Sequence, residues 1–313
     1  MPPLRILIVP LLLLANSASG QEPVEDPQPA TSTTVQPAPS SQPPIDLQPD
    51  ASGTVPQEQI RDLLRRVAEH DLENEKRLRD YTYVQREEEH KLDGHGTIKK
   101  IESSTSEVLV IYGEQVERLI AKNDKPLSAD ETKKEEERIQ KITDKRKNES
   151  DSDRRKRLEE KNKEDGRKFV LDVADAYNFR LVGNDLLDGR ETWVLDADPR
   201  PSYEPKSREA KMLPKLKGRI WIDKAEMQWK KFDITTTDTI SFGLFLARVH
   251  KGSRIVVETT RVNEEVWLPK YLSVHVDVRV ALLKNFNEDL EQIYRDYKKF
   301  RTDTNFSVVG ETQ

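Results

Sequence analysis

The chain is 313 residues long with 52 Lys and Arg against 57 Asp and Glu, a formal net charge of −5, and that balance leaves no basic footprint of the kind nucleic-acid binding requires. It has no cysteine, which excludes disulfides, thiolate metal sites, a cysteine nucleophile and an acylated-cysteine anchor. Charged residues make up 35% and aromatic residues 6%, a mixture that points to a modest core carrying a long solvated element.

The first five residues, an apolar run from Ile6 to Ala15 and the small residues Ala18, Ser19 and Gly20 have the layout of a secretory signal, with cleavage expected after Gly20 (residues 1–20). The apolar run is about ten residues, whereas a spanning helix needs roughly 20. The mature chain is therefore expected to carry no transmembrane segment and to be exported, to the periplasm or beyond the cell. Residues 21–55 are crowded with Pro, Ser, Thr, Gln and Asp without an apolar period and read as a disordered spacer.

A folded region is expected over 56–313. Pro56 suits the first turn of a helix, and Ile60, Leu63, Leu64, Val67 and Leu72 recur mostly at three- and four-residue steps, which predicts an amphipathic helix to about Asp80. Short strands are predicted at 81–84, 97–106, 107–112 and 115–121. Ser128 with Glu131 forms a capping-box pattern and opens a charged run over 128–166. That run predicts a helical insertion, too poor in aliphatics for a coiled-coil seam and interrupted at 148–153. Further strands are predicted at 169–171, 179–182, 191–195, 218–223, 228–236, 242–250, 254–261, 265–268 and 271–283. Lys251, Gly252 and Ser253, then Asn263 and Glu264, are placed as hairpin turns would be, so the pattern is a meander rather than βαβ units.

The clearest alternation sets Leu272, Val274, Val276, Val278 and Val280 on one face against Tyr271, Ser273, His275, Asp277 and Arg279 on the other. The tail 289–301 is ambiguous, because Leu290, Ile293, Tyr294, Tyr297 and Phe300 fit a helical period while the preceding strand asks for a returning one. Strand is the preferred reading.

The five histidines, His70, His90, His95, His250 and His275, form no pair at metal-ligand spacing on a helix, and no nucleophile elbow, phosphate loop or dinucleotide fingerprint is present. No catalytic residue, metal or cofactor is expected. Asp223, which ends a core strand, reads as the cap of the turn after it.

Residues 181–195, with Gly189, Arg190, Trp193 and Leu195, then 216–224, with Gly218, Ile220, Trp221, Ile222 and Asp223, then Trp229, Phe232 and Ile234, resemble the second half of the LolA-like superfamily of periplasmic lipoprotein carriers and related envelope proteins. The resemblance implies a mainly β fold with helices (α+β): a curved antiparallel sheet, an incomplete barrel, packed on the N-terminal amphipathic helix. It also implies a non-enzymatic envelope protein whose concave sheet face accepts lipid or lipoprotein acyl chains. The candidates for that face are Trp193, Ile220, Ile222, Phe232, Phe242, Leu244, Leu246, Val274, Val276 and Val278, although a slip of one residue inverts every such assignment. Lys99, Lys100 and Arg118 do not match the family's functional arginine, and none is carried over. The charged insertion has no counterpart in the short carriers and motivates an alternative, a structural or regulatory module that meets an envelope protein partner through 128–166.

Overall fold

The computed structural model describes residues 45, 47–51, 54–78, 80–150, 152–154, 172–205, 210–242, 247–280 and 284–300. The expected signal, most of the spacer, the strand expected at 169–171 and the end of the charged insertion lie outside them. Helix α1 spans Gln57–Leu78, and its buried stripe is Ile60, Leu63, Leu64 and Val67. The strands are β1 (Tyr81–Leu92), β2 (Ile98–Ile111), β3 (Glu114–Lys122), β4 (Lys125–Pro126), β5 (Tyr177–Leu187), β6 (Arg190–Pro199), β7 (Leu216–Asp223), β8 (Trp229–Thr236), β9 (Ile240–Phe242), β10 (Ala247–Val249), β11 (Arg254–Val262), β12 (Val266–Val280) and β13 (Lys284–Lys299). Helix α2 spans Ala129–Lys147, after the capping box of Ser128 and Glu131.

These strands form one open antiparallel sheet in the order β4-β3-β2-β1-β13-β12-β11-β8-β7-β6-β5, with β9 and β10 branching from β12. The first strand of the first hairpin pairs with the last described strand, so the two halves share one sheet. Tight hairpins are set by pairs of residues at positive φ: Tyr112 and Gly113, Asn123 and Asp124, Asp188 and Gly189, Asn263 and Glu264. Two consecutive positive φ values are what a type I′ turn needs to match the twist of the flanking strands.

Several predicted boundaries change. The segments expected at 97–106 and 107–112 are one strand, β2, because no turn residue separates Ser106 from Glu107. Likewise 265–268 and 271–283 merge into β12, with 281–283 outside the described residues. Pro269 is accommodated there beside a bulge, since Glu258 faces Tyr271 and Thr259 faces Pro269, leaving Lys270 as the extra residue. The segment expected at 242–250 is instead two short strands, β9 and β10, paired with each other. Lys251-Gly252-Ser253 is not a hairpin turn: β10 and β11 both run antiparallel to β12, and the chain only steps aside between them. The tail is a strand, β13.

Helix α1, about 33 Å long at 1.5 Å per residue, lies across the sheet and is clamped at both ends. Near its start the Gln57 side chain bonds both backbone groups of Phe179 on β5, accepting from the amide at 3.0 Å and donating to the carbonyl. Near its end the Asn74 amide bonds both backbone groups of Trp267 on β12, at 2.6 and 2.7 Å. Its apolar stripe packs with Phe179, Trp193, Leu195, Ile220, Ile222 and Trp229 in a first buried cluster. A second cluster joins Met212 and Leu216 to Ile240, Val249, Ile255, Leu272, Val274, Val276, Val278 and Leu290. None of the described residues of α1 belongs to it.

The margin at β3 is covered by α2 through polar groups. Glu135 accepts from the Leu119 amide at 2.8 Å, Arg138 donates to the Glu117 carbonyl, and Arg146 donates to the Ile111 carbonyl at 2.8 Å and to Glu114. No residue of α2 is buried. On β7, a Cβ at Gly218 would stand 2.8 Å from the Asp233 carbonyl oxygen and 3.2 Å from the Ile234 side chain. Gly218→Ala is therefore expected to cost about 1–3 kcal/mol through overpacking, read as a lower denaturation midpoint. An unchanged midpoint would show that β7 and β8 can part there freely.

Candidate functional site

Residues directly opposite one another in an antiparallel pair share a face, so the register draws the side-chain rows across the face that α1 covers. One row runs Ala197, Gly218, Ile234, Ile255, Val274, Leu290. The next runs Leu195, Ile220, Phe232, Val257, Leu272, Gln292. An apolar band thus crosses β6, β7, β8, β11 and β12, reaching β13 at Leu290. It lies partly under α1 and partly in the second cluster.

The sequence candidates divide between these two regions. Trp193, Ile220 and Ile222 are buried in the cluster that α1 covers, with Phe232 packed against it. Val274, Val276 and Val278 are buried in the second cluster, on the face predicted from their alternation. Phe242 ends β9, opposite Ala247. Its side chain, and Leu244 and Leu246 altogether, fall outside the described residues.

Where the band reaches β13 and β1, the same face turns polar. The first row continues from Leu290 to Glu89 and Glu102, the second from Gln292 to Glu87 and Ser104, and a third runs Val276, Glu288, Lys91, Lys100. Glu288 is only 5% exposed. Burial, reinforced by the negative charge of Glu89 and a hydrogen bond with its carboxyl, pushes the Glu288 carboxyl up to about 7. Its Oε2 is buried without a hydrogen-bond partner among the described residues. The surrounding groups are bonded to one another: Lys91 lies 2.6 Å from Glu102 and 3.6 Å from Glu89, and Lys100 lies 2.7 Å from Glu102. The Gln292 amide donates to Glu87 at 2.5 Å and accepts from the Tyr294 hydroxyl at 2.7 Å. Sequence reasoning missed this group. Charged residues fill both faces of β1 from Arg86 to Lys91, so no apolar period marked them as lying on a sheet.

A second polar group sits at the β7–β8 turn. Asp223 accepts two bonds from Arg190, at 2.6 and 2.8 Å, and one from the Glu226 amide at 2.9 Å, the capping role expected of it. Glu226 accepts in turn from Arg190 at 2.9 Å and from the Trp267 indole at 2.8 Å, and His70 of α1 donates to its carbonyl at 2.7 Å. The Arg190 guanidinium lies 5.1 Å from the Trp267 ring centroid. Every member is committed to another, so the group serves as a lock between α1, β6 and β12.

Among the described residues no group of three or more His, Asp or Glu is arranged to hold a metal, and no helix is long and apolar enough to cross a membrane.

The described chain is, in class, an open, mainly antiparallel β-sheet protein with a few helices and one apolar sheet face. Solved structures similar to it include an outer membrane lipoprotein-sorting protein domain from Vibrio parahaemolyticus, 12% identical, covering 77% of this chain and 95% of that one with a TM-score of 0.32. A LolA superfamily protein from Nitrosomonas europaea is 11% identical over 77% of this chain and 92% of its own, with a TM-score of 0.29. A DUF1329 family protein from Desulfovibrio piger is 11% identical over 80% and 95%, also with a TM-score of 0.29. No protein-family model and no curated protein sequence matches the chain.

Proposed function

We propose that this is an exported envelope protein without catalytic activity that holds an acyl chain, from a lipid or a lipoprotein, along the apolar face of its sheet in a carrier or sorting-like role. The observation that carries the reading is the band itself: rows of apolar side chains in unbroken register across five strands of a sheet that does not close. Val274, Val276 and Val278 contribute to the face in this reading from the second cluster, where they are buried with Met212 and Leu216. Phe232, Ile220, Ile222 and Trp193 continue the face beneath the helix. Each methylene taken from water contributes about 0.8 kcal/mol, so a single chain supplies affinity that is useful yet reversible.

Val276→Thr keeps the shape of the side chain and places a hydroxyl in the path of the ligand. A purified chain is expected to take up a fluorescent fatty-acyl probe, and this variant to bind it about tenfold more weakly, near 1.4 kcal/mol, while keeping its circular dichroism spectrum. Absence of any uptake, together with no lipid carried through purification by native mass spectrometry, would end the proposal.

A further inference from the structure

We propose that the polar end of this face, built on Glu288 and Glu89, is a head-group subsite that selects an amphiphile bearing a protonated amine over one bearing a carboxylate or phosphate. The inference rests on the acyl-chain reading above and adds the chemistry of the ligand's other end.

Its place follows from the register. Glu288 lies opposite Val276 on one side and Lys91 on the other, and Leu290, next on the same face of β13, ends the apolar row at Glu89. A chain lying along Val274 and Val276 brings its head to these carboxyls.

The charge count gives the sign. On this face β1 presents Glu87, Glu89 and Lys91, β2 presents Glu102 and Lys100, β13 presents Glu288, and β12 presents only valines at 274, 276 and 278. Lys122 of β3, across from Ser104, is already bonded to Glu131 at 2.7 Å. Glu87 has the Gln292 amide and Glu102 has both lysines. Among the described side chains of this face four carboxyls stand against Lys91 and Lys100, two positive charges short; Glu288 shares a hydrogen bond with the Glu89 carboxyl, and its Oε2 is buried with no N–H or hydroxyl donor among the described residues. A buried carboxylate short of positive charge is costly, and Glu288 escapes that cost by holding a proton in its bond with Glu89, which is why its titration moves upward. An ammonium N–H placed at Oε2 supplies both the missing donor and one of the missing charges. An anionic head would bring a further like charge into the same space.

Three probes that share a twelve-carbon chain separate the possibilities: dodecylamine, dodecanoate and dodecanol, titrated against the full chain and Glu288→Gln at pH 6 and pH 8. The amine is expected to bind at least tenfold more tightly than dodecanoate at pH 8, where Glu288 is more ionised than at pH 6. That preference should shrink at pH 6 and in Glu288→Gln, with dodecanol unchanged throughout. Glu89→Gln gives an independent reading should the first variant not fold. Equal binding of all three, or preference for dodecanoate, would overturn the head-group inference and leave the acyl-chain reading standing. Failure of all three to bind would overturn both.

Discussion

Asp223→Ala is expected to destabilise the fold by about 3 kcal/mol, the cost of removing one partner from a buried ion pair. Asp223 is 1% exposed and takes bonds from Nε and Nη2 of the Arg190 guanidinium. Without it the arginine keeps its charge in a half-buried place, and the Glu226 amide loses its acceptor. The damage spreads because Glu226 also anchors the Trp267 indole and meets His70 of α1. Asp223→Asn, which keeps an acceptor but not the charge, should fall between the two. A urea midpoint that moves by less than the equivalent of about 1 kcal/mol would show the network to be ornamental.

Leu64→Ala is the second large effect, at about 2–5 kcal/mol, from lost burial plus the cavity left behind. Leu64 is 1% exposed and sits mid-helix, away from the clamps at Gln57 and Asn74, so the polar ends of α1 hold its place while the apolar middle empties. That geometry limits collapse and favours the upper part of the range. Substitution of the exposed Arg65 on the same helix is the control and should move the denaturation midpoint little. Equal effects at the two positions would mean that α1 is not bound to the sheet through its apolar stripe.

The apolar half of this molecule was legible in its sequence. Alternation along β12 assigned the buried face correctly, and the capping box at Ser128 placed the start of α2, because both signals are local and carried by a few residue types. The polar half was not. Residues 86–91 are Arg, Glu, Glu, Glu, His and Lys, so β1 was predicted to stop at Val84, although it continues to Leu92. A strand is recognised by the contrast between its faces, and there the contrast is absent. The merging of 265–268 with 271–283 has another cause: Pro269 looks like a breaker until the bulge opposite Glu258 and Thr259 gives it a place without an amide. Glu288 escaped notice because a single carboxylate in a charged tail carries no mark of burial.

The side chains at the two margins of the sheet have a consequence for how this chain lives among others. A strand with unanswered amides and carbonyls is an invitation to any extended neighbour, and to copies of itself above all. Here Gln57 occupies both groups of Phe179, while Glu135 and Arg138 occupy Leu119 and Glu117. Helix α2 thus answers part of the β3 margin with its own side chains, the kind of cover that leaves an extended neighbour less to pair with.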